Sequence, residues 1–201
     1  MKRILLSFTI ILISFCALYA QDIDENWTKA NYSKNEIMVP MRDGVRLFTT
    51  IYAPKDNSVK HPILISRTPY GCRPYGTDYY TSLWKKHDAF LKKGYIIVFQ
   101  DVRGKYMSEG IFENVRPIDP KKPQANKDIT DVYDMVDWLI KHTPNNNGKV
   151  GFTGNSYLGY YTMTAALANH KAIKAVCPQA PVTDWFMGDD VHHNGALMLT
   201  D

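Results

Sequence analysis

The chain has 201 residues, 45% of them apolar and 22% charged, a composition that suits one folded core and excludes a disordered tail. Its formal net charge of +4 comes in part from Lys2 and Arg3, and the other basic residues alternate with acids instead of forming a stripe. That pattern argues against a nucleic-acid partner.

Met1 to Ala20 reads as a secretory signal peptide, with a basic start at Lys2-Arg3, an apolar run from Ile4 to Leu18, and Ala20 before the cleavage point. The run is interrupted by Ser7, Thr9 and Ser14 and is shorter than the roughly 20 apolar residues of a spanning helix. The expectation is a mature chain of residues 21–201, secreted or periplasmic and without stable membrane association. Cys72 and Cys177 lie in that mature chain, where an oxidising compartment permits pairing, though spacing alone does not establish it. Cys177 is expected to end a buried strand as a small apolar filler.

Gln21 to Lys34 is polar and aperiodic and reads as a leader into the fold. Glu36 to Pro40 and Val45 to Tyr52 flank Met41-Arg42-Asp43-Gly44, whose Asp-Gly pair predicts an antiparallel hairpin. Pro62 to Ser66 is a short apolar strand. Tyr79 to Leu91 has the spacing of an amphipathic helix stopped by Gly94. Tyr95 to Gln100 (YIIVFQ) is nearly all apolar and without alternation, as in a parallel strand covered on both faces.

Asp101 to Lys127 is a connection too long to be idle in a compact domain. In it Arg103 is expected to pair with Asp101 or Glu109 and so pin the loop. Asp128 to Lys141 is a helix with Ile129, Val132, Tyr133, Val136, Leu139 and Ile140 on one stripe. Lys149 to Thr153 is the next strand, followed at once by Gly154-Asn155-Ser156-Tyr157-Leu158-Gly159 and an Ala- and Met-rich helix; Ile173 to Cys177 is a further strand. A hairpin followed by alternating strands and helices predicts a mixed, mostly parallel α/β sheet with flanking helices.

Ser156 thus stands on a corner between strand and helix, at the edge where open α/β sheets bind ligands. A nucleophile elbow has that geometry, although its usual spacing is G-x-S-x-G and here the second glycine comes one place late. The alternative is a tight turn whose glycines permit close packing and whose serine caps the helix.

Four ordered segments carry a resemblance: Ser66-Arg67-Thr68-Pro69-Tyr70; Gln100-Asp101-Val102-Arg103-Gly104-Lys105-Tyr106 with Ser108-Glu109-Gly110; Gly154 to Gly159; and Trp185-Phe186-Met187-Gly188-Asp189-Asp190. From about Glu36 onward the chain resembles the CocE/NonD-type family of cocaine esterase, X-prolyl dipeptidyl peptidase and α-amino acid ester hydrolase. That family uses Gly-x-Ser-Tyr-x-Gly, which accounts for the late glycine. The resemblance implies an α/β-hydrolase fold, Ser156 as nucleophile, and an oxyanion hole made from the Tyr157 backbone N–H and the Tyr70 hydroxyl.

The matching aspartate of α-amino acid ester hydrolases belongs to a carboxylate cluster that holds the substrate's α-ammonium group, and it falls here on Asp190. This member of the family is the one the chain resembles most. The alternative for the Asp189-Asp190 pair is a helix start, and for His192 and His193 a polar loop or a packing role. The implied reaction is cleavage of esters or amides of small substrates with a free α-amino group, through an acyl-enzyme and without a cofactor or metal. The alternatives are a cocaine-esterase-like or X-Pro dipeptidyl-peptidase-like hydrolase.

The α/β-hydrolase triad runs Ser, acid, His in chain order. His192 and His193 follow Asp184, Asp189 and Asp190 too closely to serve, so the triad acid and base are expected outside residues 1–201. The chain therefore reads as the N-terminal part of a catalytic domain, cut after the strand that follows the nucleophile helix. A non-catalytic remnant of such an enzyme is the second reading. No oligomeric state is legible in the residues.

Overall fold

The computed structural model describes residues 23–81, 84–184, 186–188 and 192–198. The predicted signal peptide lies outside them, as do Asp189 and Asp190.

Helix α1 (Glu25–Asn31) opens the described chain inside the stretch expected to be a leader. Asp24 causes it: its side chain accepts the Trp27 N–H at 2.7 Å and satisfies a first-turn amide. Strand β1 (Tyr32–Pro40) follows without a break and pairs antiparallel with β2 (Arg46–Pro54). The predicted Asp-Gly turn joins them, with Gly44 at φ +85 donating to Met41 O at 2.9 Å.

Strand β3 (His61–Thr68) leads through helix α2 (Trp84–Lys92) to β4 (Ile96–Asp101). Helix α2 is shorter than the predicted Tyr79–Leu91 span and breaks its helical backbone at His87. A 3₁₀ turn (Pro123–Ala125) then precedes helix α3 (Lys127–His142), capped by the Asn126 side chain. Strand β5 (Asn146–Asn155), helix α4 (Tyr157–Leu167) and β6 (Ile173–Gln179) complete the sheet, whose order is β1-β2-β4-β3-β5-β6. The three pairings on the β4 to β6 side are parallel and the two nearer β1 antiparallel. Beyond β6 come two short paired strands, β7 (His192–His193) and β8 (Ala196–Leu197). They turn at Asn194-Gly195, both with positive φ as a two-residue hairpin requires.

The apolar runs of β3 and β4 divide between two cores. Ile63, Ile65, Ile96 and Val98 face Ile129, Val132, Met135, Val136 and Leu139 of α3 and Ala165 of α4, while Leu64 and Ile97 face Leu91 of α2 and Tyr32. Burial on both faces explains why these strands lack alternation. Met135 takes a core place the predicted stripe omitted, and Tyr133 sits at the stripe's edge, 37% exposed. Strand β6 is only partly covered, and the thiol of Cys177 is free and exposed instead of filling a core. Cys72 is free and buried, so the two cysteines are not bridged.

Candidate active site

Strands β3, β4 and β5 all end on one rim of the sheet, and the segments that leave β3 and β5 carry Tyr70, Ser156 and Tyr157. Ser156 follows β5 directly with φ +57 and ψ −121, a conformation L-residues seldom adopt. The side chain makes no capping hydrogen bond and is exposed, which removes the helix-cap alternative. The corner is locked through the main chain: Ser156 N–H donates to Gln179 O at 2.9 Å, and Ser156 O accepts Tyr160 N–H at 3.1 Å.

The glycines on either side follow from close packing. A Cβ on Gly154 would lie 2.3 Å from Leu158 O, so only glycine lets the strand run under the first turn of α4. At Gly159 a Cβ would lie 2.7 Å from Gln179 O and 3.0 Å from the Cα of Pro181. The late glycine therefore stands where α4 crosses the exit of β6. Leu158, in the usual glycine position, is only half-buried.

Tyr157 is the first residue of α4, so its backbone amide lies at the positive end of the helix beside Ser156. Its ring stacks on Tyr161, with centroids 5.2 Å apart and planes at 23°, and meets Tyr70 edge to face. Burial raises the pKa of the Tyr157 hydroxyl, which keeps it a neutral donor. Tyr70 leaves β3 two residues after Thr68, whose Oγ1 accepts the Tyr70 N–H at 3.0 Å, and its side chain is 62% exposed on the rim. The structure thus joins Tyr70, through its ring, to Tyr157, the residue that follows Ser156.

Asp101, the last residue of β4, is fully buried beneath this rim and fixes two of its loops. Its carboxylate accepts Cys72 N–H at 2.7 Å and Tyr75 OH at 3.2 Å from the loop after β3, and Met107 N–H at 3.4 Å from the loop after β4. Burial raises its pKa, and those donors oppose the rise. Burial together with Asp101 pushes the Tyr75 hydroxyl up to about 12. Lys34 holds the same loop from the other side, donating to Pro74 O, Gly76 O and Tyr79 O at 2.6 to 2.9 Å. The local sequence around Asp101 and Lys34 predicts neither role. For Asp101 a signal exists, since an acid at the carboxyl end of a nearly all-apolar strand must be paired or hydrogen-bonded.

Arg103 does pin the long loop, but with other partners than expected. It bonds Asp131 at 3.0 and 2.5 Å and Asp43 at 3.2 Å, tying the loop to α3 and the hairpin turn, whereas Glu109 is held by Arg46. Arg67, 1% exposed, lies over the Tyr161 ring at 5.6 Å and donates to Gln100 Oε1 and Asp128 O. His61, His142 and His170 sit near the opposite rim, at the start of β3, the end of α3 and just before β6. His192 and His193 form β7, not a loop, and His192 packs against Phe186. Among the described residues no group of three or more His, Cys, Asp or Glu side chains is gathered for a metal ion.

The model of the X-Pro dipeptidyl-peptidase (S15) family matches residues 43–201. A cocaine esterase from Rhodococcus sp. (strain MB1 Bresler) is 34% identical over 171 residues, covering 84% of this chain and 27% of that protein. The solved structure of an α-amino acid ester hydrolase superposes with a TM-score of 0.72 at 41% identity, covering 83% of this chain and 28% of the other. An aminopeptidase from the marine sediment archaeon Thaumarchaeota archaeon gives 0.71 and 40% over the same shares. The chain therefore spans little more than a quarter of the length of these relatives. A rare serine conformation on an α/β sheet, the displaced glycine and the matched length agree: the chain has an α/β-hydrolase fold and belongs to the X-Pro dipeptidyl-peptidase (S15) family.

Proposed function

We propose that the gene product is a serine acyl hydrolase in which Ser156 is the nucleophile. The observation that carries this reading is the backbone of Ser156, at φ +57 on the carboxyl end of β5 with no capping role for its hydroxyl. Ser156 Oγ attacks the acyl carbon, and its proton passes to a general base that we do not assign to any of residues 1–201. The carbonyl oxygen becomes an oxyanion, held by the Tyr157 N–H and the Tyr70 hydroxyl. Collapse expels the protonated alcohol or amine and leaves an acyl-Ser156 ester, which water then hydrolyses.

The substrate class in this proposal is a small ester, amide or peptide with a free α-amino group. Support comes from Gly188-Asp189-Asp190, where Asp190 supplies a carboxylate for an ammonium, and from the names of two similar structures, an α-amino acid ester hydrolase and an aminopeptidase. Asp190 lies outside the described residues. The cocaine esterase relative supports the second reading, an ester hydrolase indifferent to the amino group. In either case the leader through Ala20 supports export.

The test is labelling of the complete gene product by a fluorophosphonate, followed by intact-mass and peptide analysis. We expect stoichiometric modification at Ser156 and none in Ser156→Ala. Modification at another serine overturns the assignment.

A further inference from the structure

Tyr157 is bound at both ends, and the far end leads out of the site. Its ring lies between the stacked Tyr161 and the edges of Tyr160 and Tyr70. Tyr161 in turn rests over the buried guanidinium of Arg67, so this floor is fixed to the core. The hydroxyl of Tyr157 reaches past the floor to the long loop after β4. There it donates to Asn114 Oδ1 at 2.6 Å and accepts Val115 N–H at 3.2 Å. That loop is itself anchored, because Asn126 Nδ2 donates to Arg116 O and Pro117 O at 3.1 and 3.2 Å and the Tyr160 hydroxyl donates to Arg116 O at 3.1 Å.

The backbone at the clasp is strained. Val115 has φ +46, a region that a β-branched side chain strongly disfavours. The next residue after Asn114 is thus held in a costly conformation at the point where its N–H meets the Tyr157 hydroxyl. Strain of this kind persists where the surrounding contacts over-determine it, and it collects at functional sites.

We propose that Asn114 is a positioning residue for the oxyanion hole, acting through the Tyr157 hydroxyl; the proposal rests on the reading of Ser156 as nucleophile. The Tyr157 ring and the Tyr157 N–H belong to one residue at the first position of α4, so a ring clamped at its tip constrains the amide that faces the oxyanion. Tyr70, the second donor, leans its ring on the same side chain. The Asn114 acceptor on the loop, with the Val115 N–H, therefore holds the ring on which Tyr70 leans. Such donors act only when held within a fraction of an ångström, so freeing the ring slows the bond-forming step more than it weakens encounter.

The experiment uses the complete gene product and a fluorophosphonate probe at a series of concentrations, separating the maximal labelling rate (kinact) from the half-saturating concentration (KI). Asn114→Leu keeps the size and removes the acceptor, and it is expected to lower kinact about tenfold with KI changed by less than about twofold. Asn114→Asp keeps an acceptor for the Tyr157 hydroxyl and is expected to label at close to the wild-type rate. Tyr157→Phe should match Asn114→Leu, and the double variant should lose no more than Tyr157→Phe alone. A wild-type kinact in Asn114→Leu overturns the proposal, and so does an equal loss in the Leu and Asp variants, which marks Asn114 as merely structural. Ser156→Ala reports separately: continued labelling there overturns the nucleophile assignment whatever the Asn114 variants do.

Discussion

The rings of Tyr70 and Tyr157 meet edge to face, with centroids 6.3 Å apart and planes at 81°. One leaves the end of β3 and the other begins the helix after β5, and these strands are direct neighbours in the sheet. The contact packs together the rings of the two residues proposed to carry the oxyanion donors, and edge-to-face pairs of this kind contribute about 0.5–1.5 kcal/mol beyond their buried area. Tyr70 makes this contact although its side chain is mostly exposed.

Tyr70→Phe keeps that ring contact and removes only the hydroxyl. In the complete gene product kcat for an ester substrate should fall on the order of 100-fold with a modest change in KM. Steady-state kinetics decide it. An unchanged kcat assigns Tyr70 to packing alone.

Gly159→Ala tests the displaced glycine. The added methyl would meet Gln179 O and the Cα of Pro181, both of them backbone, so α4 must move away from β6. The expected cost is about 1–3 kcal/mol of stability, read by urea unfolding. Labelling at Ser156 should fall with it, because the Ser156 N–H bonds the same Gln179 O. Adding Leu158→Gly, which restores the commoner spacing, should recover neither property.

Asp43 supplies a pH dependence. Burial opposes its charge, but hydrogen bonds from Lys127 and Arg103 outweigh it and hold the carboxyl at about 2, below its ordinary 3.8. A folded-state value below the unfolded one means stability that is fully present above about pH 4 and is lost as pH falls through 2. The loss should be on the order of 1–2 kcal/mol after solvent screening. Unfolding free energy measured from pH 5 to pH 2 should show this slope, and Asp43→Asn should flatten it. An equal slope in the variant assigns the dependence to other carboxylates.

Asp190→Asn separates the substrate classes. If Asp190 holds an α-ammonium group, the variant should lose roughly 2–5 kcal/mol in kcat/KM for an amino-acid ester and almost nothing for an ester of equal size without the amino group. The measurement is the ratio of the two kcat/KM values in wild type and variant. Equal loss on both substrates makes Asp190 structural and favours the cocaine-esterase-like reading.

Residue pattern alone determined the fold class, the hairpin with its Asp-Gly turn, the β3 and β4 strands and helix α3, because each rests on a period or a turn residue that acts locally. It also placed Ser156 on its corner, since the flanking glycines and the switch from strand to helix are written within a few positions. Only the tertiary structure decided partners and exposure. Arg103 had acids near it in sequence, yet Asp131 and Asp43 hold it, since buried charges pair with whatever the packing of α3 and the hairpin turn brings within reach. Cys177 has an apolar local sequence, but its strand is only partly covered and its side chain is exposed. The union of Tyr70 with Tyr157, the Asp101 anchor and the Asn114 clasp all join segments distant in the chain, and no local pattern encodes contacts that exist only once the strands are in register.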